Sequence, residues 1–453
     1  MPDSTPRRPR QSKQSGNLEA TNSLLARIWQ KRESLCALTE QAMISGVNFL
    51  FTVMLLKFAP LETLGVFQMG RFLMLLLAGM QNSLISFPYT IAFRQINPED
   101  PESSKRYACS QLVLAILFCG LTILLIAGCL VYPWDASVFG MLVALLLAAP
   151  MFLVREFSRR HEFAHLRAES AMWFSILAAA LQIGGLLVLH WRGAINAASA
   201  MTVLALSYAI TNAIWLAWRY REFEVSRETS TSSADPSEAS KYSVANTLKT
   251  NWQIGRWIFS SQSLSDLLLT SIHWLITLGV DKTVGGAFAA CFQVASLLNP
   301  LVMGLTNMLP PRFAKITAEE NRKQLYLAAS ASAKSMLSVL LVISAFLSVA
   351  SPWLLSILAK EPIANAGLVM FVLVAMMVVQ ALGIPPFHGL NAMSLPQKTV
   401  AAPMIGLIFG IAVFLLLGIP WGAAGAAIAL LVGRALVTGV TFWEFRRTAM
   451  FSQ

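Results

Sequence analysis

An ionisable side chain at the centre of a bilayer costs roughly 2.5–3.5 kcal/mol on insertion scales, so each one inside an apolar run marks a candidate function. Arg71, Asp266, His273 and Glu40 are such residues. Arg71 stands about eight residues into a run that opens near Thr63, ~12 Å from its outer end at 1.5 Å per residue. Its guanidinium presents two parallel donors, the geometry that grips a phosphate oxyanion. Snorkelling to the outer interface is the plainer reading. Asp266 falls near the middle of another run and suits a gate pair with Arg71, a proton or sodium site, or a static ion pair. His273, two turns on along nearly the same face, is a second coupling or gating candidate, with helix packing as its plainer role. Glu40 and Arg256 lie near the inner ends of equivalent runs and are read as a cytoplasmic mouth. Trp252 and Trp257 flank Arg256 as an interfacial belt would. Gln68, Asn82 and Asn299, with Gln41, Asn48, Gln262 and Asn307, carry amides that both donate and accept. That chemistry suits hydroxyl-rich ligands and equally suits bonds between helices.

His161-Glu162-Phe163-Ala164-His165 matches HExxH. On a helix this spacing puts two imidazoles on one face, with a glutamate to act as base toward a zinc-bound water. Arg155, Arg159, Arg160 and Arg167 crowd the segment, and no third ligand stands at a useful spacing. The expected role is an amphipathic helix on the lipid surface, and no metal is expected. No cofactor is expected either: the chain has no GxxxxGK[ST] phosphate loop, so it does not hydrolyse ATP, and it is read as a non-enzyme. None of its five cysteines is spaced as CxxC.

What positions these groups is a set of about twelve apolar segments of roughly 20 residues, each long enough to cross a ~30 Å hydrocarbon core. They run near 37–57, 63–91, 108–130, 136–154, 170–189, 197–218, 253–279, 284–311, 329–349, 363–387, 399–417 and 421–444. A hydrophobic content of 56% with only 13% charged residues fits an all-α integral membrane protein. About 26 of the 34 Lys and Arg fall in the tails and alternate loops of one side, and about four in loops of the other. Both termini are therefore read as cytoplasmic. The net charge of +11 reflects that bias, not nucleic-acid binding.

The stretch 219–251 is Ser/Thr/Glu-rich in its middle and reads as a cytosolic linker between two six-helix lobes, 31–218 and 252–446, behind a disordered tail, 1–30. LETLGVFQMGRF at Leu61 resembles KTVGGAFAACF at Lys282, so Gly65 matches Gly286 and Phe67 matches Phe288. Pro88 pairs with Pro310 in the same register, at an offset of roughly 221 residues. Six spans per half make the repeat parallel, about an axis along the membrane normal. Gly425, Ala429 and Gly433 form a small-residue stripe for close helix packing.

SGVNFLFTVMLLKFAPLETLGVFQMGRF (Ser45–Phe72), GRWIFSSQSLSDLLLTSIHWLITLGVDKTVGGAFAACF (Gly255–Phe292) and the basic segment REFSRRHEFAHLRAESA carry a resemblance to a known family. They resemble the Wzx-type polysaccharide and O-antigen flippases of the multidrug/oligosaccharidyl-lipid/polysaccharide exporter (MOP) superfamily, over most of residues 30–445. The resemblance implies a twelve-span, two-lobe bundle in the cell inner membrane. It also implies alternating access and transfer of a polyprenyl-diphosphate-linked glycan for lipopolysaccharide or related synthesis. Glycan polymerases or glycosyltransferases of the same pathway would be partners. Arg71 and Arg256 would then hold the diphosphate, amides the sugars, and Asp266, Glu40 and His273 the coupling or gating. A cation-coupled multidrug antiporter and a structural subunit of a secretion complex are the alternatives.

Overall fold

The computed structural model describes residues 13–93, 101–223, 242–306, 309–318 and 322–451, and all regular structure among them is helical. The first half holds α1 (Lys13–Phe58), α2 (Leu61–Phe93), α3 (Pro101–Cys129), α4 (Ala136–Ala164), α5 (Ala168–Trp191) and α6 (Ala197–Phe223). The second holds α7 (Val244–Gly279), α8 (Lys282–Thr306), α9 (Arg322–Leu358), α10 (Ala366–Ala392), α11 (401–421) and α12 (423–451). A short helix, Leu309–Ala318, follows α8.

Among the described residues, ten helical stretches are long and apolar enough to cross a membrane. The last of them, Pro396–Met450, would be ~80 Å long if straight, far beyond a bilayer. Gly422 breaks it, with φ 55° and ψ −126°, into two antiparallel passes. Their packing explains the small-residue stripe. A Cβ on Gly425 would lie 2.1 Å from the Leu417 carbonyl, and one on Gly406 2.6 Å from that of Gly433. The twelfth pass is α7, whose polar residues lower its hydropathy but whose 36 residues are ample.

Side-chain caps fix where three helices start. Asp135 accepts from the Ser137 and Val138 N–H groups, Ser243 from Asn246, and Asp281 from Thr283 and Val284. Within the first lobe α4 packs along α6 and α1 along α5; in the second α7 packs along the α11–α12 pair. The lobes meet where α2 lies against α7 and α8. There Gly65 and Gly286, equivalent by sequence offset, touch. A Cβ on Gly65 would sit 2.8 Å from the Gly286 nitrogen, and one on Gly286 1.9 Å from the Leu61 carbonyl. Equivalent positions meet only on the axis that relates two halves, so these glycines mark it.

Several expected boundaries move. Residues 13–30, expected to be disordered, belong to α1; after Lys13 they include no proline and one glycine, so nothing in the chain stops the helix. Both ends of the expected linker, through Phe223 and from Val244, are helical, while residues 224–241 lie outside the described residues. His161 and His165 belong to the last turn of α4 and its cap, not to a separate surface helix. The helix runs on because Arg, Glu, Phe and His after Val154 are compatible with it; only apolarity ends there.

Candidate functional site

A cavity of about 510 Å³ opens inside the first lobe, between α1, α2, α4, α5 and α6, with Gln262 and Met303 of the second lobe on its far wall. Four guanidiniums line it: Arg71 from α2 and Arg155, Arg159 and Arg160 from α4. Phe152, Arg155, Glu156, Arg159 and Arg160 all reach the cavity because they recur at i, i+3, i+4, i+7 and i+8, one stripe of a helix. Among the described residues, Arg71 Nη1 donates to the Asn48 carbonyl (3.5 Å) and Thr52 Oγ1 (3.3 Å). Arg155 donates to Ser175 Oγ at 2.6 Å. Arg159 pairs with Glu40 and Glu156, both at 3.3 Å. Among the described residues, Arg71, Arg155 and Arg160 have no carboxylate within ion-pair distance.

The expected residues divide around this cavity. Arg71, Asn82, Gln41 and Asn48 line it. Glu40 is 1% exposed and sits behind it, accepting from Ser175 at 3.0 Å and holding Arg159, so it is not a mouth residue. Gln68 is buried and donates to Thr52 Oγ1 at 3.4 Å, a bond between helices and not a ligand contact. Arg256 lies outside: it is exposed, with its guanidinium 5.2 Å from the Trp257 ring, the interfacial anchor. Asn299 is also exposed outside the cavity, because the 3₁₀ turn Ser296–Leu298 rotates the face that an α-helical period assigns to it. Asn307 lies outside the described residues.

A second cavity, about 420 Å³, lies in the other lobe and shares Gln262 and Met303 with the first. Asp266, Arg434, Gln380 and His388 line it. Asp266 accepts from Gln262 through both oxygens at 2.9 Å and packs against Gly79 of α2. It makes no ion pair with Arg71, so the expected gate pair is not formed; Arg434, bonded to Ser265, is the cation that faces it.

The side opposite the arginines is shut. His273 Nε2 donates to the Gly65 carbonyl at 3.1 Å, and its ring stands edge-on to Phe72. Trp274 Nε1 donates to the Met69 carbonyl at 3.1 Å. Beyond them Lys282 Nζ joins Asp135 (2.7 Å) and Glu62 (3.2 Å) across the lobes. Partial burial pushes the Asp135 carboxyl up, but hydrogen bonds from Lys282, Ser137 and the Val138 N–H outweigh it and hold the group at about 2. His273 is thus part of the seal between lobes.

No family model and no curated protein matches the chain. Solved structures do. An inward-facing multidrug resistance MATE family transporter of the MOP superfamily superposes with TM-score 0.72 at 14% identity, covering 91% of this chain and 98% of that one. The fold is that of the MATE transporters. An outward-facing structure of a multidrug resistance MATE family transporter gives TM-score 0.63 at 15% identity over 92% of this chain and 94% of that one. A MOP superfamily transporter from Pyrococcus furiosus, described by the reverse polarity of its binding pocket, gives 0.62 at 14% identity over 92% and 94%. The superfamily resemblance read from the sequence holds at the level of fold. It does not reach the O-antigen flippase branch.

Proposed function

We propose that this chain is an alternating-access membrane transporter whose cargo carries an oxyanion. The observation that carries the reading is the wall of four guanidiniums, three of them without a carboxylate partner among the described residues. Unpaired guanidiniums in a low-dielectric cavity are costly to keep unless an anion arrives to share them. The sealed outer face and open inner cavity suit loading from the cytoplasmic side. The finer form of the proposal is the flipping of a polyprenyl-diphosphate-linked oligosaccharide, the diphosphate lying among Arg71, Arg155 and Arg160.

The solved neighbours are described as multidrug transporters, which favours the cation-coupled antiporter over glycan-lipid flipping. Asp266, a carboxylate in the second cavity, is the feature of this chain in that reading's favour. The positive first cavity favours an anionic cargo, and the Pyrococcus furiosus transporter is described as having a pocket whose reversed polarity suggests a different function. Liposomes separate the two. Movement of a polyprenyl-diphosphate oligosaccharide, lost in Arg71→Ala and Arg155→Ala, supports the proposal. Movement of a lipophilic cation, lost in Asp266→Asn and untouched by the arginine changes, refutes it.

A further inference from the structure

The HExxH segment has a neighbour that its local sequence does not contain. Glu222, at the inner end of α6, stands so that one ligand atom from each of His161, His165 and Glu222 falls within 4.8 Å of the others. His161 Nε2 is 3.1 Å from Glu222 Oε2. Two ligand atoms of a tetrahedral ion with bonds of ~2.0–2.1 Å lie about 3.3 Å apart, so this pair is already at the right separation.

Each ring's far nitrogen is held as metal-ligating histidines hold theirs. His165 Nδ1 donates to the His161 carbonyl at 2.9 Å, which leaves the lone pair on its Nε2. Tyr89 Oη lies 3.0 Å from His161 Nδ1. A hydroxyl both donates and accepts, so when His161 Nε2 gives up its proton to bind an ion, Nδ1–H donates to Tyr89 instead. We propose that His161 Nε2, His165 Nε2 and Glu222 Oε2 bind a divalent ion of the zinc class.

Among the described residues, the arginines that crowd the sequence leave Glu222 Oε2 to His161. Arg155 and Arg159 turn into the cavity, toward Ser175 and toward Glu40 and Glu156. Arg219 pairs with Glu162 at 2.9 Å and reaches Glu222 Oε1 at 3.5 Å. Arg167 takes the other oxygen of Glu222, Oε1, at 2.6 Å. A ligating carboxylate is itself normally hydrogen-bonded, and this bond leaves Oε2 for the ion. Access is open as well: His165 and Glu222 are partly exposed, and His161 lies ~37 Å along α4 from Ala136, past a ~30 Å hydrocarbon core.

The ion's role is not hydrolytic. The motif's glutamate, Glu162, accepts from Trp215 Nε1 at 2.9 Å and from Arg219 at 3.0 and 2.9 Å, so it is not free to act as a base. The ion instead ties the ends of α4 and α6 together and, through Tyr89, the inner end of α2.

The test uses the full chain, purified in detergent without a polyhistidine tag, dialysed against micromolar zinc and counted by elemental analysis. One zinc per chain is expected in the wild type and none in His165→Ala or Glu222→Gln, with His190→Ala unchanged. Tyr89→Phe, which keeps the ring packing, weakens affinity about ten- to a hundredfold. Substoichiometric zinc in the wild type, or equal zinc in His165→Ala, overturns the site. If the ligand variants do not fold, cobalt decides it: wild-type protein without the visible absorption of tetrahedral cobalt refutes the proposal.

Discussion

The outer latch gives a prediction whose size follows from its geometry. Lys282 Nζ reaches Asp135 at 2.7 Å, Ser137 Oγ at 2.9 Å and Glu62 at 3.2 Å, joining α8 to the other lobe. The two acids are about half exposed, 45% and 51%, so solvent screens both pairs. Exposed pairs are worth ~0.2–1 kcal/mol each, and the latch as a whole about 1 kcal/mol. Lys282→Ala should therefore raise the odds of the outward-open arrangement about fivefold. Spin labels replacing Val131 and Trp421, exposed residues at the outer ends of the two lobes, read this as growth of the long-distance population. The five cysteines are replaced first. At ~1 M salt, where the screening length falls to ~3 Å, wild type should approach the mutant. Unchanged distance distributions in both Lys282→Ala and Lys282→Glu would refute the idea that these pairs hold the lobes together.

Acid should open the same latch. A carboxyl held near 2, below its ordinary 3.8, stabilises the closed form fully above that ordinary value and loses its contribution as pH falls toward 2. The long-distance population of wild type should grow between pH ~4 and ~2, and Asp135→Asn should remove that pH dependence. Gly286→Val puts a side chain where a Cβ is 1.9 Å from the Leu61 carbonyl. Overpacking of this kind costs ~1–3 kcal/mol, and the same labelled pair should move to long distance. Glu40→Ala leaves Arg159 with Glu156 alone and removes the acceptor of Ser175. Loss of ~1.5–3 kcal/mol is expected on unfolding, with part recovered in Glu40→Gln.

Apolar run length was enough to find all twelve passes, because the bilayer imposes a minimum that chance polar residues in α7 do not erase. Gly65 and Gly286 were matched as repeat positions from the sequence, but their backbone contact, which only glycine permits, came from the structure. The arginine wall was not read as one, because the apolar run of α4 stops at Val154 and the charges beyond it look like loop. Extending the helix in phase would have put Arg155, Arg159 and Arg160 on the face of Phe152. Arg256 failed for a rotational reason: Gln262, which does face both cavities, is six residues on, about 120° round the helix. Glu222 could not be found as a neighbour of His161 from spacing, because 61 residues separate them and only the packing of α4 on α6 brings them together.

The glycine contact also bears on how an ion gradient survives beside a charge-lined cavity. Water needs a gap of about one 1.4 Å probe sphere to enter, and a file of waters across a membrane conducts protons. Where Gly65 meets Gly286 the two backbones leave no such gap, since even a methyl group would overlap the facing carbonyl. With no side chain there to rotate aside, no thermal flicker of a rotamer can open a passing leak. The contact insulates until whole helices part, so proton leakage should follow the lobe motion itself and not the jostling of individual residues.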